Sequence, residues 1–137
     1  MLLVAVLAVL LKSIPLGYTV GGEVGLKVKA NPDKVVPGGT STLEVELKNV
    51  NPDKNVAVIV EARAHDSDLY FVESYTQAYR ASSIRIGPEG VRKTSFNVKC
   101  KPTTLEGKYR IDVSAKDEGK EKGAEAQVFI TVEKGKS

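Results

Sequence analysis

From Val24 almost to the C-terminus, apolar and polar residues take turns one by one, and this period of two restricts the fold more than any other feature of the chain. Successive side chains of a strand point to opposite faces, whereas one face of a helix recurs every 3.6 residues. Val24, Leu26, Val28 and Ala30 alternate with Gly25, Lys27 and Lys29, and Leu43, Val45 and Leu47 with Thr42, Glu44, Glu46 and Lys48. Phe96, Val98 and Cys100 then alternate with Ser95, Asn97 and Lys99, and Tyr109, Ile111, Val113 and Ala115 with Lys108, Arg110, Asp112 and Ser114. Ala124, Ala126, Val128, Ile130 and Val132 close the series, with Phe129 on the other face. Val56–Val60 is apolar on both faces, as a central strand requires. The pattern predicts an all-β antiparallel sandwich of about seven strands. Its core would hold Leu43, Val45, Leu47, Val58, Phe96, Val98, Ile111, Val113, Val128 and Ile130. A one-residue slip would turn any of these strands inside out, so the phase itself is the prediction.

Breaks fall where turn chemistry is strongest. Asn31-Pro32-Asp33-Lys34 interrupts the first strand, because proline fixes φ and aspartate favours turns. Lys34-Val35-Val36 reads as the second half of that strand, ended by Pro37-Gly38-Gly39. Asn51-Pro52-Asp53-Lys54 echoes the first tetrad; no longer similarity accompanies it, so it reads as a turn and not as a repeat. The charged loop Lys116–Lys122 joins the last two strands as a solvated hairpin, and Leu69–Ser83 reads as an edge strand plus a loop.

The N-terminus differs in kind. Leu2–Leu11 is unbroken apolar sequence, the length of a signal-peptide core and shorter than the ~20 residues of a spanning helix. Thr19-Val20-Gly21-Gly22 offers small residues where a signal peptidase would cut. No basic residue precedes the apolar run, however, and Lys12 follows it. If the segment is retained, Leu2–Val20 just spans a bilayer with Lys12 and Pro15 near one interface. Residues 1–22 are therefore expected to be a signal peptide or membrane anchor, and 23–137 the folded domain, placed outside the cytoplasm. One cysteine, Cys100, excludes an intrachain disulfide. Twenty basic and 17 acidic residues give a net charge of only +3, too weak and too interspersed for a nucleic-acid footprint. No tryptophan, one methionine and abundant Lys, Glu and Val resemble proteins of hot environments.

The order of strand, Pro-Gly-Gly turn, Thr42-Leu43-Glu44-Val45-Glu46-Leu47-Lys48-Asn49 and a late Leu105-Glu106-Gly107-Lys108-Tyr109-Arg110 strand resembles a known family. It is similar to immunoglobulin-like modules of prokaryotic, often archaeal, surface proteins, of the adhesion and alpha-galactosidase-associated types. The resemblance covers residues 24–134. It implies an immunoglobulin-like sandwich in which Gly107 and Tyr109 form a G-x-Y motif and Tyr109 makes a tyrosine corner, mostly buried with its hydroxyl on the backbone. It specifies a fold and little function.

His65-Asp66-Ser67-Asp68 offers an imidazole and two carboxylates suited to a divalent cation. Four adjacent loop residues cannot close a coordination sphere, so a polar loop capping a central strand is expected. Cys100, in phase with Phe96 and Val98, reads as core. Tyr70, Phe71, Tyr75 and Tyr79 bring half of the chain's aromatics (Tyr 5, Phe 3) into ten residues. They either form a protein-binding surface or seal an irregular edge. Lys27 and Lys29 on the first strand and Glu125 and Glu133 on the last defend those strands against edge pairing, which leaves Leu69–Tyr79 as the least defended edge. Phosphate loops, nucleophile elbows, zinc-binding helices and N-glycosylation sequons are absent.

No catalytic residue, cofactor or metal is therefore expected. Two function classes remain. One is a non-enzymatic binding or adhesion module at the cell surface, whose partner is a protein or another surface component. The other is a structural subunit of a membrane complex or surface filament, its N-terminal segment retained as an anchor or donated as a strand, with a homo-oligomer as one form of it.

Overall fold

The computed structural model describes residues 17–119 and 122–135. The apolar run Leu2–Leu11 lies outside them. The described chain forms ten strands in two sheets: β1 (Thr19–Gly21), β2 (Val24–Asn31), β3 (Lys34–Val35), β4 (Thr40–Asn49), β5 (Val56–Ala64), β6 (Leu69–Phe71), β7 (Ala78–Ile86), β8 (Val91–Cys100), β9 (Gly107–Asp117) and β10 (Gly123–Val132). The first sheet has the order β1-β2-β4-β8-β6, the second β3-β10-β9-β5-β7. All pairings are antiparallel except β3 with β10. Six of the seven long strands are the expected ones; the seventh, β7, covers and extends the part of Leu69–Ser83 read as a loop, while the edge strand expected there is only the three-residue β6. The fold is an all-β immunoglobulin-like sandwich.

The alternation sets which faces meet. Nine of the ten anticipated core residues are buried, and Val128 is half-buried against the core. The exception has a local cause. On its open side β10 is paired by β3 only at Thr131 and Val132, so Ala126 and Val128 lack a neighbouring strand there. β5 is interior, between β9 and β7, and not central.

Two short strands depart from the sequence reading. Lys34–Val35 does not continue β2; it crosses to the second sheet and pairs in parallel with β10. The two halves thus join different sheets, a possibility that alternation alone does not reveal. Thr19–Gly21, assigned above to the leader, is an edge strand of the first sheet, with Val20 opposite Gly25. There a side chain at Gly21 would put its Cβ 1.9 Å from the Gly123 carbonyl oxygen, so only glycine lets β1 close on β10. Upstream, Tyr18 lies across Gly25 and donates to the Glu46 carboxylate, while Lys27 Nζ sits 5.5 Å from its ring centroid. Burial, and then the Glu46 carboxylate, push the Tyr18 phenol up to about 12.

Because β1 covers β2 and β3 covers part of β10, the sheet edges are β1 and β6, and β3 and β7. These covers are short: β1 pairs only with Val24–Leu26 and β3 only with Thr131 and Val132, so the rest of β2, with Lys27 and Lys29, and most of β10, with Glu125, still line open sheet margins. Of the strands that end the two sheets, β7 is the long one. Opposite Ile59 it carries a bulge at Ser82 and Ser83, the latter at φ +61°, which twists it away from flat pairing.

Two polar side chains, one buried and one half-buried, lock the ends. Asn49 is fully buried; its Nδ2 donates to the carbonyls of Lys54, Ile86 and Gly87 at 2.7–3.1 Å, and its Oδ1 accepts from Asn51 N–H at 2.8 Å. Tyr109 is half-buried and donates to the Leu105 carbonyl at 2.6 Å, four residues upstream, as a tyrosine corner does.

Candidate recognition surface

The aromatic segment divides by strand phase. In β6, Leu69 and Phe71 point inward and Tyr70 outward. Phe71 is fully buried and stacks edge-on against Phe96 at 5.9 Å; Tyr79, half-buried at the start of β7, lies 5.2 Å from Phe96 and 6.4 Å from Phe71. These three rings bridge the two sheets and seal that side of the sandwich. Phe71 therefore presents no surface to a partner, and Tyr79 only part of one. Tyr70 and Tyr75 are left.

Tyr75 is 80% exposed, at the tip of the turn between β6 and β7. Hydrogen bonds hold that turn throughout. Tyr75 N–H donates to the Phe71 carbonyl at 2.7 Å, and Phe71 N–H to the Thr76 carbonyl at 2.8 Å. The Ala78 carbonyl accepts from Thr76 Oγ1 at 2.6 Å and from Ser74 Oγ at 2.9 Å. Gln77 exchanges bonds with the Ala64 backbone at the end of β5. On the other flank, Val72 N–H donates to the Asn97 carbonyl, while the Glu73 carboxylate accepts from Asn97 N–H at 2.7 Å and from its Nδ2 at 3.1 Å. Glu73 thus acts as a strand acceptor along β8 and does not serve as a repelling edge charge. Within this frame Tyr75 adopts φ +56°, the left-handed region that side chains disfavour.

Ser67, Tyr70, Tyr75, Thr76, Gln77 and Lys101 line a shallow open groove beside the turn. Its aromatic walls were visible in the sequence. Gln77 and Lys101 were not singled out, although Ser74-x-Thr76 is a sequence signal for a hydroxyl-braced turn.

The His65–Asp68 loop does not gather its ligands. His65 Nε2 turns to Asp112 on the outer face of β9, where Arg110 also binds the carboxylate, at 2.8 and 3.3 Å. The His65 hydrogen bond, then Arg110, hold the Asp112 carboxyl below its ordinary value. Asp66 Oδ1 instead accepts from Asp68 N–H at 2.9 Å, capping its own turn. Among the described residues no group of three His, Cys, Asp or Glu could hold a metal ion. The Cys100 thiol is buried and donates to the Val36 carbonyl at 3.3 Å.

No protein-family model matches the sequence, and no curated protein matches it. Solved structures share the fold. The CARDB domain of the Pyrococcus furiosus protein PF1109, in complex with di-metal ions, is 20% identical with a TM-score of 0.59, over 89% of this chain and 97% of that one. A FixG-related protein from Vibrio parahaemolyticus is 13% identical with a TM-score of 0.60, over 82% and 98%. A mutant Salmonella alpha-2-macroglobulin is 14% identical with a TM-score of 0.64, matched over 82% of this chain but 7% of its own. Some of the similar structures are enzymes, among them a Clostridium perfringens family 123 glycoside hydrolase. At these identities the likeness is one of fold.

Proposed function

We propose that the chain is a non-enzymatic binding module outside the cytoplasm, carried at the cell surface on its apolar N-terminal segment, and that it presents the Tyr75 turn to a protein partner. One observation carries the reading: a turn braced by several backbone and side-chain hydrogen bonds holds an exposed tyrosine in a backbone conformation that side chains disfavour. Strain of that kind persists where the surroundings enforce it, and it clusters at binding sites. Tyrosine supplies large contact area at low entropic cost, as interface anchors do. The CARDB likeness supports a module of this class. That domain's metal ions find no counterpart among the described residues here.

The test is a photo-crosslinking amino acid placed at position 75 or at position 116, which lies on the outer face of the second sheet, in cells that carry the native assembly. A discrete protein adduct from position 75 and none from 116 is the expected result. No adduct from 75, or equal adducts from both, would overturn the proposal. The long edge β7 favours a second reading, a filament subunit that accepts a neighbour's strand. The bulge at Ser82 and Ser83 opposes that pairing.

A further inference from the structure

The outer face of the first sheet has an unusual charge pattern and an unusual entry point. Lys27, Lys29, Lys48, Lys93 and Lys99 project from it, against Glu44 and Glu46. Both glutamates sit inside the lysine field: Glu46 is flanked by Lys27 and Lys93 across the strands, with Lys93 Nζ 3.6 Å away, and Glu44 faces Lys29. Tyr18 lies at one margin of this face, over Gly25, and Tyr70 at the other, opposite Lys99. The molecule's other acidic groups are mostly in loops at the two ends of the sandwich. Asp33, Asp53, Asp66, Asp68, Glu89 and Glu106 are examples, while Glu73 adds a third carboxylate near the Tyr70 margin of this face, bonded to the outward Asn97 side chain.

The chain enters the fold on the same face. A Cβ at Gly17 would meet the end of the Lys27 side chain at 3.2 Å, and the next residue is the clamped Tyr18. Only Lys12–Leu16 separates Gly17 from the apolar run Leu2–Leu11. Five residues span at most about 17 Å when extended. If the apolar run enters a bilayer, so short a tether cannot hold the domain clear of the headgroups. Gly17, where the tether joins the domain, lies beside Lys27 on the side that carries the lysines and the two marginal tyrosines. Lysine and tyrosine are the residues that favour a charged membrane interface, through attraction to anionic headgroups and through amphipathic stems and rings.

We infer that the outer face of the β1-β2-β4-β8-β6 sheet rests on a membrane surface of anionic headgroups, which turns the β7 edge and the charged outer face of the second sheet away from the bilayer. The inference rests on the membrane attachment proposed above. It also requires that the chain not be cut within Thr19–Gly22, since those residues are built into the sheet.

The full chain would be reconstituted into vesicles of phosphatidylcholine alone or of phosphatidylcholine with phosphatidylglycerol, floated on a density gradient, and pulse-labelled with an amine-acetylating reagent read by mass spectrometry. Lys29, Lys48 and Lys99 should label at least about threefold more slowly in the anionic vesicles than in the neutral ones. Lys108 and Lys116, on the opposite face, should label equally in both. High salt should erase the difference, because surface attraction is screened. The double change Lys29→Glu with Lys99→Glu should erase it at low salt and leave flotation intact. Flotation with equal labelling of both faces, as expected if a protein covers this face instead, would overturn the inference while sparing the attachment. A chain that does not float would refute the attachment and the inference together.

Discussion

Two turns at opposite ends of the sandwich are equally well bonded, yet they do opposite things with their most important side chain. At one end, Asn51 accepts from Asp53 and Lys54 N–H at 2.8 and 3.0 Å, and its own N–H donates to buried Asn49, which also reaches the Lys54 carbonyl. That turn is organised inward, around a side chain with no exposure. At the other end, the Phe71–Ala78 turn is braced by several hydrogen bonds as well, but its tip holds Tyr75 outward in a left-handed conformation. A turn that serves only the fold hides its strongest group. The second turn exposes its largest ring.

The comparison predicts a graded series in unfolding free energy, measured by denaturant titration of single variants. Phe71→Ala, at the buried root of the outward turn, should cost the most, about 3–5 kcal/mol, because the sheets cannot collapse onto the space left between Phe96 and Tyr79. Asn49→Ala should cost about 2–3 kcal/mol, since it strands carbonyls of Lys54, Ile86 and Gly87 that no water reaches easily. A loss below about 1 kcal/mol there would mean that the inward turn is not held by its buried amide. Asn51→Ala removes an acceptor at the surface and should cost about 1 kcal/mol. Tyr75→Ser should change stability by less than about 0.5 kcal/mol while it removes the proposed partner contact.

Much of this was legible in the sequence, and the exceptions have physical reasons. The phase of the long strands other than β7 could be read because one face of each is buried, so a slip would expose its apolar set; β7, with only Ile86 fully buried and a bulge that shifts its register, gives no such pattern. Asn49 was legible in principle: it falls in phase with Leu43, Val45 and Leu47, which places a polar side chain in the core and calls for partners. The change of sheet at β3 was not legible, since Lys34 and Val35 look alike in either sheet. The echo of Asn31-Pro32-Asp33-Lys34 in Asn51-Pro52-Asp53-Lys54 correctly indicated turns, and both tetrads carry the chain from the first sheet to the second. Their bracing differs: the first is held by Ser41 Oγ donating to the Pro32 carbonyl at 2.6 Å, from a strand that the tetrad itself does not specify. In the aromatic segment, composition drew attention to ten residues but could not divide them. Alternation within Leu69-Tyr70-Phe71 separates inward from outward rings only once β6 is known to be a strand. The exposure of Tyr75 depends on a backbone conformation that composition does not encode.

The central claim is that Tyr75 is kept at the tip of its turn for what it contacts and against the preference of its backbone. Tyr75→Gly tests it most directly, because glycine adopts φ +56° without a Cβ penalty and retains every main-chain hydrogen bond of the turn. The account predicts an unfolding free energy equal to that of the unchanged protein or higher by up to about 1 kcal/mol, the left-handed cost relieved less the added freedom of the unfolded chain. A fall of more than about 1 kcal/mol would show that the ring supports the fold, and would contradict the claim.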